Sequence, residues 1–510
     1  MAATNIKRLK ISKKKKAKKL EEKHDYLTEL PEPLLNHILS YLTMKDVIRT
    51  SVLAKRWRYT WLYVPCLKFP PMKVSRQIEV AFINRTLLLH KGPNIQELNI
   101  TFKYNNDGAC QVDSWMHFAL TRNVNEPYLD FLVKGARDPS RHCYRLPHFI
   151  LSCRSLTVLA LKRCAIKFPI NFKLSSLKKL SLDLVDISSQ AVNDLISSSP
   201  ILEYLSLTDC QKDDSLNLSI MNVGMKTLKI NGSSYYSSSY LEVYAPHTVS
   251  LELVRSLYRK NLVINRMQSL ESASFYCDQV PCVRYDKVKG YSTHKILEAV
   301  HHVKDLRLCS CYAEALSTSE NQSVDFLSFD VTCLGIKTEL TKWELPGIAY
   351  IIRHSPNIET LIISIDKIRD KGVSCSIQMC AELSNNLEVG EYWKLQEPNF
   401  IDQLWNLKTV KVCYFMENLN QLQESFESTA KELLELLQNC MDFLKFLLKN
   451  SKVLERMIIT NYKKTKFGKW DGLKLRLMSR LTQELLAFPR ASRDAQIYLQ
   501  DCLQSPPGIP

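Results

Sequence analysis

Near the start of the chain, leucines recur at helical spacing. Residues 30–42 run Leu-Pro-Glu-Pro-Leu-Leu-Asn-His-Ile-Leu-Ser-Tyr-Leu, which sets Leu34, Leu35, Ile38, Leu39 and Leu42 at i, i+1, i+4, i+5 and i+8. That spacing predicts a short helix with a wide apolar stripe. Its two prolines fall in the first turn, where amide donors lack intrahelical partners anyway. Thr43, followed three residues later by Asp46, resembles a capping box and opens a second helix through Val47, Ile48 and Val52. A third helix is expected to carry Trp57 and Trp61, four residues apart and so on one face. Three helices of this length cannot bury all that apolar surface among themselves. Each Leu or Trp withdrawn from water is worth roughly 1.5–3 kcal/mol, so part of the surface is expected to meet a partner.

Further along, the period changes. The pattern L-x-x-L-x-L-x-x-C/N-x-L is the strand signature of a leucine-rich repeat. Leu156-Leu159-Leu161-Cys164-Ile166 fits it fully, and Leu177-Leu180-Leu182-Val185-Ile187 fits with Val at the Cys/Asn position. Leu202-Leu205-Leu207-Cys210, Met225-Leu228-Ile230 and Thr248-Leu251-Leu253 continue it, the starts lying 21, 25, 23 and 23 residues apart. Weaker copies begin at Ile95, Leu270, Val303, Ile358 and Leu407. A joint of helix end and strand start also recurs, as Ser199-Pro200-Ile201-Leu202-Glu203, Ser355-Pro356-Asn357-Ile358-Glu359 and Ser451-Lys452-Val453-Leu454-Glu455. One repeat cannot bury its own apolar face, so stacking is required and a curved parallel sheet with outer helices is the expected solenoid. The residues between the leucines face the concave side, and Thr157, Lys178, Lys179, Glu203 and Tyr204 are the candidates there for target binding. Cys164 and Cys210 read as small buried residues at the turn of the repeat.

Composition sharpens the picture at a few points. The formal charge is +17, but residues 1–23 hold ten Lys/Arg against two Glu, which leaves +9 for the rest of the chain. Such a tail repels itself and is expected to be disordered over residues 1–24. Its cluster Lys13, Lys14, Lys15, Lys16, Lys18 and Lys19 suits a nuclear import signal, which points to the nucleus and also allows the cytoplasm. A basic-tailed nuclear scaffold or nucleic-acid-associated protein is the alternative, but the tail holds no aromatic residue for base stacking. No run of 18 apolar residues suggests a membrane span. The sixteen cysteines are scattered without a Cys-x-x-Cys pair, and Cys309 beside His301 and His302 falls directly after Leu308 in a repeat strand. No metal or cofactor is therefore expected. The chain spells no GxSxG, GxGxxG or GxxxxGK loop, so no catalysis is expected either.

Taken together, Leu30-Pro31, Leu34-Leu35, Ile38-Leu39, Leu42, Lys45-Asp46-Val47, Arg49 to Leu53, Lys55-Arg56-Trp57 and Trp61 resemble an F-box over residues 25–70. Near the other end, Phe443 to Asn450, Val453 to Met457 and Phe488-Pro489-Arg490-Ala491-Ser492 resemble the FBD domain of plant F-box repeat proteins, over residues 401–500. A solenoid over 71–400 lies between them, and 501–510 is a short tail. The resemblance implies an α/β architecture: a three-helix F-box, a leucine-rich-repeat solenoid and a C-terminal FBD α/β cap. It also implies a substrate-recognition subunit of a Skp–cullin–F-box ubiquitin ligase, which meets cullin and RING subunits through a Skp-type adaptor. Carried over by position, the adaptor contacts are Leu30, Pro31, Leu34, Leu35, Ile38, Leu39, Leu42, Val47 and Trp57. Each of these either touches the adaptor or holds the three helices together, and spacing alone does not separate the roles. Joint burial of Leu35, Leu39 and Trp57 inside this chain's own interior is the outcome that would collapse the receptor reading and leave a solenoid of unknown purpose.

Overall fold

The computed structural model describes residues 29–104, 108–132, 143–166, 173–210, 217–232, 240–254, 261–265, 267–276, 287–319, 328–366, 389–400, 404–415, 426–462, 479 and 483–502. At its front, helix α1 (Glu32–Ser40) starts behind Pro31, and helix α2 (Met44–Thr50) is capped by Thr43. The Thr43 hydroxyl accepts from the Asp46 amide at 3.4 Å and donates to the Asp46 carboxylate at 2.7 Å, which satisfies one orphan donor of the first turn. The expected third helix forms instead as two 3₁₀ turns, Lys55–Arg58 and Thr60–Tyr63. Tyr59, at φ −119° and ψ 0°, leaves helical geometry between them and breaks the i→i−4 ladder.

Behind this module, fifteen strands pair in parallel and in chain order. They are β1 (Cys66–Phe69), β2 (Glu97–Lys103), β3 (Glu126–Leu132), β4 (Val158–Lys162), β5 (Lys179–Asp183), β6 (Tyr204–Thr208), β7 (Thr227–Asn231) and β8 (Ser250–Val254). The series continues as β9 (Ser272–Tyr276), β10 (Asp305–Cys309), β11 (Cys333–Thr338), β12 (Thr360–Asp366), β13 (Thr409–Phe415), β14 (Arg456–Tyr462) and β15 (Gln496–Cys502). The register aligns Leu180, Leu205, Leu228 and Leu251 in one inward row, and Leu182, Leu207, Ile230 and Leu253 in the next. All eight are buried. Period-two alternation then sends Ser181, Ser206, Lys229 and Glu252, which share a row of the register, to the opposite face.

Three strands end in the same backbone device. Arg163, Leu184 and Asp209 adopt positive φ values of 56°, 53° and 46°, each one residue before the buried Cys164, Val185 or Cys210. A left-handed non-glycine residue costs on the order of 1 kcal/mol or more. Here the amides of all three donate to carbonyls of the next strand's end, Asp183, Thr208 and Asn231, at 2.8–2.9 Å. The ladder offsets the strain and turns the chain toward the outer layer.

That outer layer holds helices α3 (Arg76–Leu89), α4 (Ala109–Thr121), α5 (Ser189–Ser197), α6 (Lys287–Ala299), α7 (Ser310–Ser319), α8 (Leu345–Arg353), α9 (Val389–Gln396) and α10 (Phe426–Asn450). Between α5 and α6 it is a small parallel sheet of Leu218–Met221, Tyr240–Tyr244 and Asn261–Ile264. The three joint serines, Ser199, Ser355 and Ser451, are buried just beyond the ends of α5, α8 and α10. Where α7 meets α8, a Cβ on Gly347 would fall 1.9 Å from the Ala313 carbonyl oxygen, so only glycine allows that approach.

The C-terminal region expected as a cap extends the same sheet. Strands β13, β14 and β15 pair in sequence, and Trp393 of α9 stacks on Phe443 of α10 at 4.6 Å. β15 lies beyond β14, which carries Met457-Ile458-Ile459. One apolar core runs unbroken from Met44 to Ala495.

Candidate functional site

Helix α1 separates neighbouring leucines onto opposite faces. Leu35 and Leu39 are buried with Val47, Trp57 and Val64 in a small core of the front module, and half-buried Leu42 and Trp61 pack against it. Leu34 and Ile38 are 52% and 41% exposed, and Tyr41 completes their face at i, i+4 and i+7. Val52 and Leu53, just past α2, are 86% and 71% exposed. Leu30 is half-buried and Pro31 is exposed.

This corrects the assignment of adaptor contacts. Leu35, Leu39, Val47 and Trp57 are sealed inside the chain and hold the short helices together, so none of them offers a docking surface, and the receptor reading does not stand on these residues as the sequence placed it. Exposed apolar side chains left to a partner include Leu34, Ile38, Tyr41, Val52 and Leu53, with Tyr59 and Tyr63 at the 3₁₀ turns. The sequence carried both sets at helical spacing. It lacked the direction of the core, which depends on where the 3₁₀ turns and Val64 fold back. Tyr41, Val52 and Leu53 were not singled out as contacts, and their signal was their place on or beside the same apolar stripe.

The front module is not loosely attached. Met44 belongs to the main core with Leu67 of β1, and Ile48 packs against that core. After α3, the amides of Lys91 and Gly92 both donate to the Leu62 carbonyl, at 2.7 and 3.2 Å. The buried His90 ring pairs its Nε2 with the Val64 carbonyl at 3.0 Å. The Arg122 guanidinium donates to the carbonyls of Gly92 and His90 from the next repeat. Burial pushes the His90 pKa down, the Val64 carbonyl opposes this, and the nearby Arg122 charge adds to it. His90 is therefore held neutral at the junction.

The concave face presents a different chemistry. In its first half, several cations are matched across strands. Lys68 pairs with Glu97 at 3.1 Å, Lys229 with Glu252 at 2.7 Å, Lys162 with Asp183, and Arg163 with Asp130. The five residues expected to bind a target gather at one rim and in the adjacent row. Thr157, Lys178 and Glu203 immediately precede β4, β5 and β6, whose first residues include Lys179 and Tyr204. Lys178 and Lys179 are exposed, the other three are half-buried, and Glu203 pairs with Lys226 at 3.2 Å. Toward the other end, Arg307 is held by its strand neighbour Asp305 through bonds of 3.2 and 3.1 Å.

Thiol and imidazole groups are built into the framework. Cys164 and Cys210 are buried, and burial raises both pKa values, that of Cys210 to about 12. Their thiols stay protonated and unreactive. His301 and His302 bond to the backbone carbonyls of Glu298 and Met267. No group of three metal-ligating side chains occurs among the described residues. Lys13, Lys14, Lys15, Lys16, Lys18 and Lys19 lie outside the described residues.

Comparison with known proteins agrees with this layout. A family model for the F-box domain matches residues 27–69, and the leucine-rich-repeat domain model described as At1g61320/AtMIF1 matches residues 86–418. The F-box/FBD/LRR-repeat protein At1g13570 of Arabidopsis thaliana is 28% identical over 94% of this chain and 100% of its own length. The F-box/LRR-repeat protein At5g02910 of the same plant is 26% identical over 85% of this chain and 88% of its own. The FBD-associated F-box protein At5g56370, also from that plant, is 30% identical over 66% of this chain and 74% of its own. With the module and the solenoid matched in the same order along most of its length, this chain belongs to the plant F-box/FBD/leucine-rich-repeat family.

Proposed function

We propose that the chain is the target-recognition subunit of a Skp–cullin–F-box ubiquitin ligase. The outward stripe of α1, Leu34, Ile38 and Tyr41, is the observation that carries this reading. It is apolar surface that the module leaves uncovered after its own core is complete, and it suits a Skp-type adaptor. The junction around His90 and Arg122 supports the same reading, because it fixes the docking module against the solenoid. A target held on the repeats would then sit at a constant offset from the adaptor. Cullin and RING subunits would bring a conjugating enzyme, and tethering would raise the local concentration of target lysines beside it. The chain itself supplies binding and geometry, with no catalytic step. The Lys13–Lys19 cluster is read as the signal that takes it to the nucleus.

Pull-down with a purified Skp-type adaptor tests this. The wild-type chain captures the adaptor, and Leu34→Glu/Ile38→Glu loses capture while keeping its thermal transition. Full capture by that variant, or none by the wild type, would overturn the reading. Replacing Lys13 to Lys16 by Ala in a fluorescent fusion tests localisation separately, and unchanged nuclear signal would remove the import role.

A further inference from the structure

The concave face is not uniform along its length. From β1 to β8, cross-strand carboxylates neutralise Lys68, Lys162 and Lys229, although exposed Lys103 and Lys179 make no ion pair among the described residues. From β11 to β14, the same face carries Lys337, Lys411 and Arg456. Lys411 and Arg456 are exposed and make no ion pair among the described residues. The register sets Lys411 beside Ile362, and Arg456 one strand further on beside Thr409.

Next to these cations the sheet has a recess. Gly335 has no side chain to fill it, and the Arg307 stem lies so close that a Cβ on Gly335 would sit 3.1 Å from its Cγ. Tyr276, Arg307, Lys337, Ile362 and Ser364 line the hollow. Asp305 already holds the Arg307 guanidinium, so Arg307 shapes the wall more than it offers charge. The floor at Gly335 and Ile362 is apolar and shallow.

Taking the receptor reading above as its basis, we propose that this C-terminal half of the concave face binds an acidic, extended segment of the target. One aliphatic side chain seats over Gly335 and Ile362, and carboxylates a few residues further along meet Lys411 and Arg456. The spacing fits. Neighbouring strands lie about 4.8 Å apart and an extended chain rises about 3.3 Å per residue, so a segment crossing the sheet passes about three residues for every two strands. Side chains of an extended segment alternate faces, so an aliphatic residue at the recess places acidic residues two and four positions on, on the same face and within reach of the two cations. The apolar floor between the charges favours a peptide over a nucleic-acid backbone, which needs a continuous basic track with stacking aromatics.

The test uses the full chain copurified with the adaptor. The probe is a fluorescent octapeptide carrying one leucine followed, two and four positions later, by glutamates; its counterparts carry glutamines or lysines there. Fluorescence polarisation at low salt is expected to show binding of the glutamate peptide only. Lys411→Glu/Arg456→Glu should weaken it at least tenfold and gain the lysine peptide, while Lys73→Glu, in the exposed loop before α3, leaves binding within twofold. Equal binding of the glutamine peptide, no binding by the wild type, or no effect of the double reversal would overturn the proposal. So would a DNA duplex that binds through Lys411 and Arg456 and is not displaced by the glutamate peptide. Adaptor capture by the same variants separates the two ideas: retained capture with no peptide preference sinks this inference alone, and absent capture by the wild type sinks the receptor reading.

Discussion

The front module and the repeat sheet divide their residues by the same rule and expose opposite chemistry. In α1 the helical period sends Leu35 and Leu39 inward and leaves Leu34 and Ile38 in water. In the sheet, the period of two buries Leu180, Leu205 and Leu228 and turns out Ser181, Ser206 and Lys229. A short helical module has apolar residues to spare after its core is filled. A fifteen-strand sheet does not, since stacking buries nearly every leucine it carries. The two regions thus suit partners of different kinds: an apolar face for a constant neighbour, and a charged, patterned face for a chosen one.

The sharpest way to break this contrast is to exchange roles within α1. Leu35→Asp/Leu39→Asp places two carboxylates in the small core around Trp57 and should cost more than about 5 kcal/mol, enough to unfold the module. Limited proteolysis between residues 29 and 65 would report it, and resistance equal to wild type would show that these leucines are not structural. Leu34→Glu/Ile38→Glu is expected to shift stability by less than about 0.5 kcal/mol, as surface changes do. A loss of adaptor capture with no change in melting would then locate function on the outward face alone.

A smaller effect is expected where the regions join. Because His90 is held neutral, its folded pKa lies below the ordinary value of 6.5, and the unfolded chain takes up the proton first. The stability that neutral His90 contributes is present above about pH 6.5 and is lost as pH falls through the folded value. Denaturant titrations from pH 7.5 to 5 should show the wild type losing stability more steeply than His90→Gln, and parallel curves would count against the junction role. The smallest effect belongs to the concave ion pairs. Lys68→Ala removes a half-buried partner of Glu97 and should cost no more than about 1 kcal/mol. Thiol labelling offers a complementary check: exposed Cys110 should react promptly, while Cys164 and Cys210 should wait for unfolding.

Much of the architecture could be read from spacing, because repetition makes a local pattern into a global one. Strands β4 to β8 coincide with the repeat starts at Leu156, Leu177, Leu202, Met225 and Thr248. β3 escaped because Pro127 stands where the pattern needs leucine, although its neighbours Leu129 and Phe131 face the core as the rule requires. β11 was overlooked despite Val331, Leu334 and Ile336 at repeat spacing, and β15 lies past a long interval without a clear repeat. The small outer sheet at 218–264 had no signal either. Four-residue segments such as Leu218–Met221 fit a strand or a buried turn of helix equally well.

On its own, the sequence determined that this chain would stack short parallel strands behind a compact helical front. Periodicity of 2, of 3.6 and of about 23 residues is a property of the chain, and burial enforces it whatever the surroundings. Only the tertiary structure decided which leucines of α1 remained available and which cations of the sheet kept a neighbouring acid. Those outcomes depend on where distant segments arrive: Val64 and the 3₁₀ turns against Leu35 and Leu39, and Glu97 or Glu252 one strand away from Lys68 or Lys229. A linear pattern specifies which side chains must leave water. The fold specifies what they meet when they do.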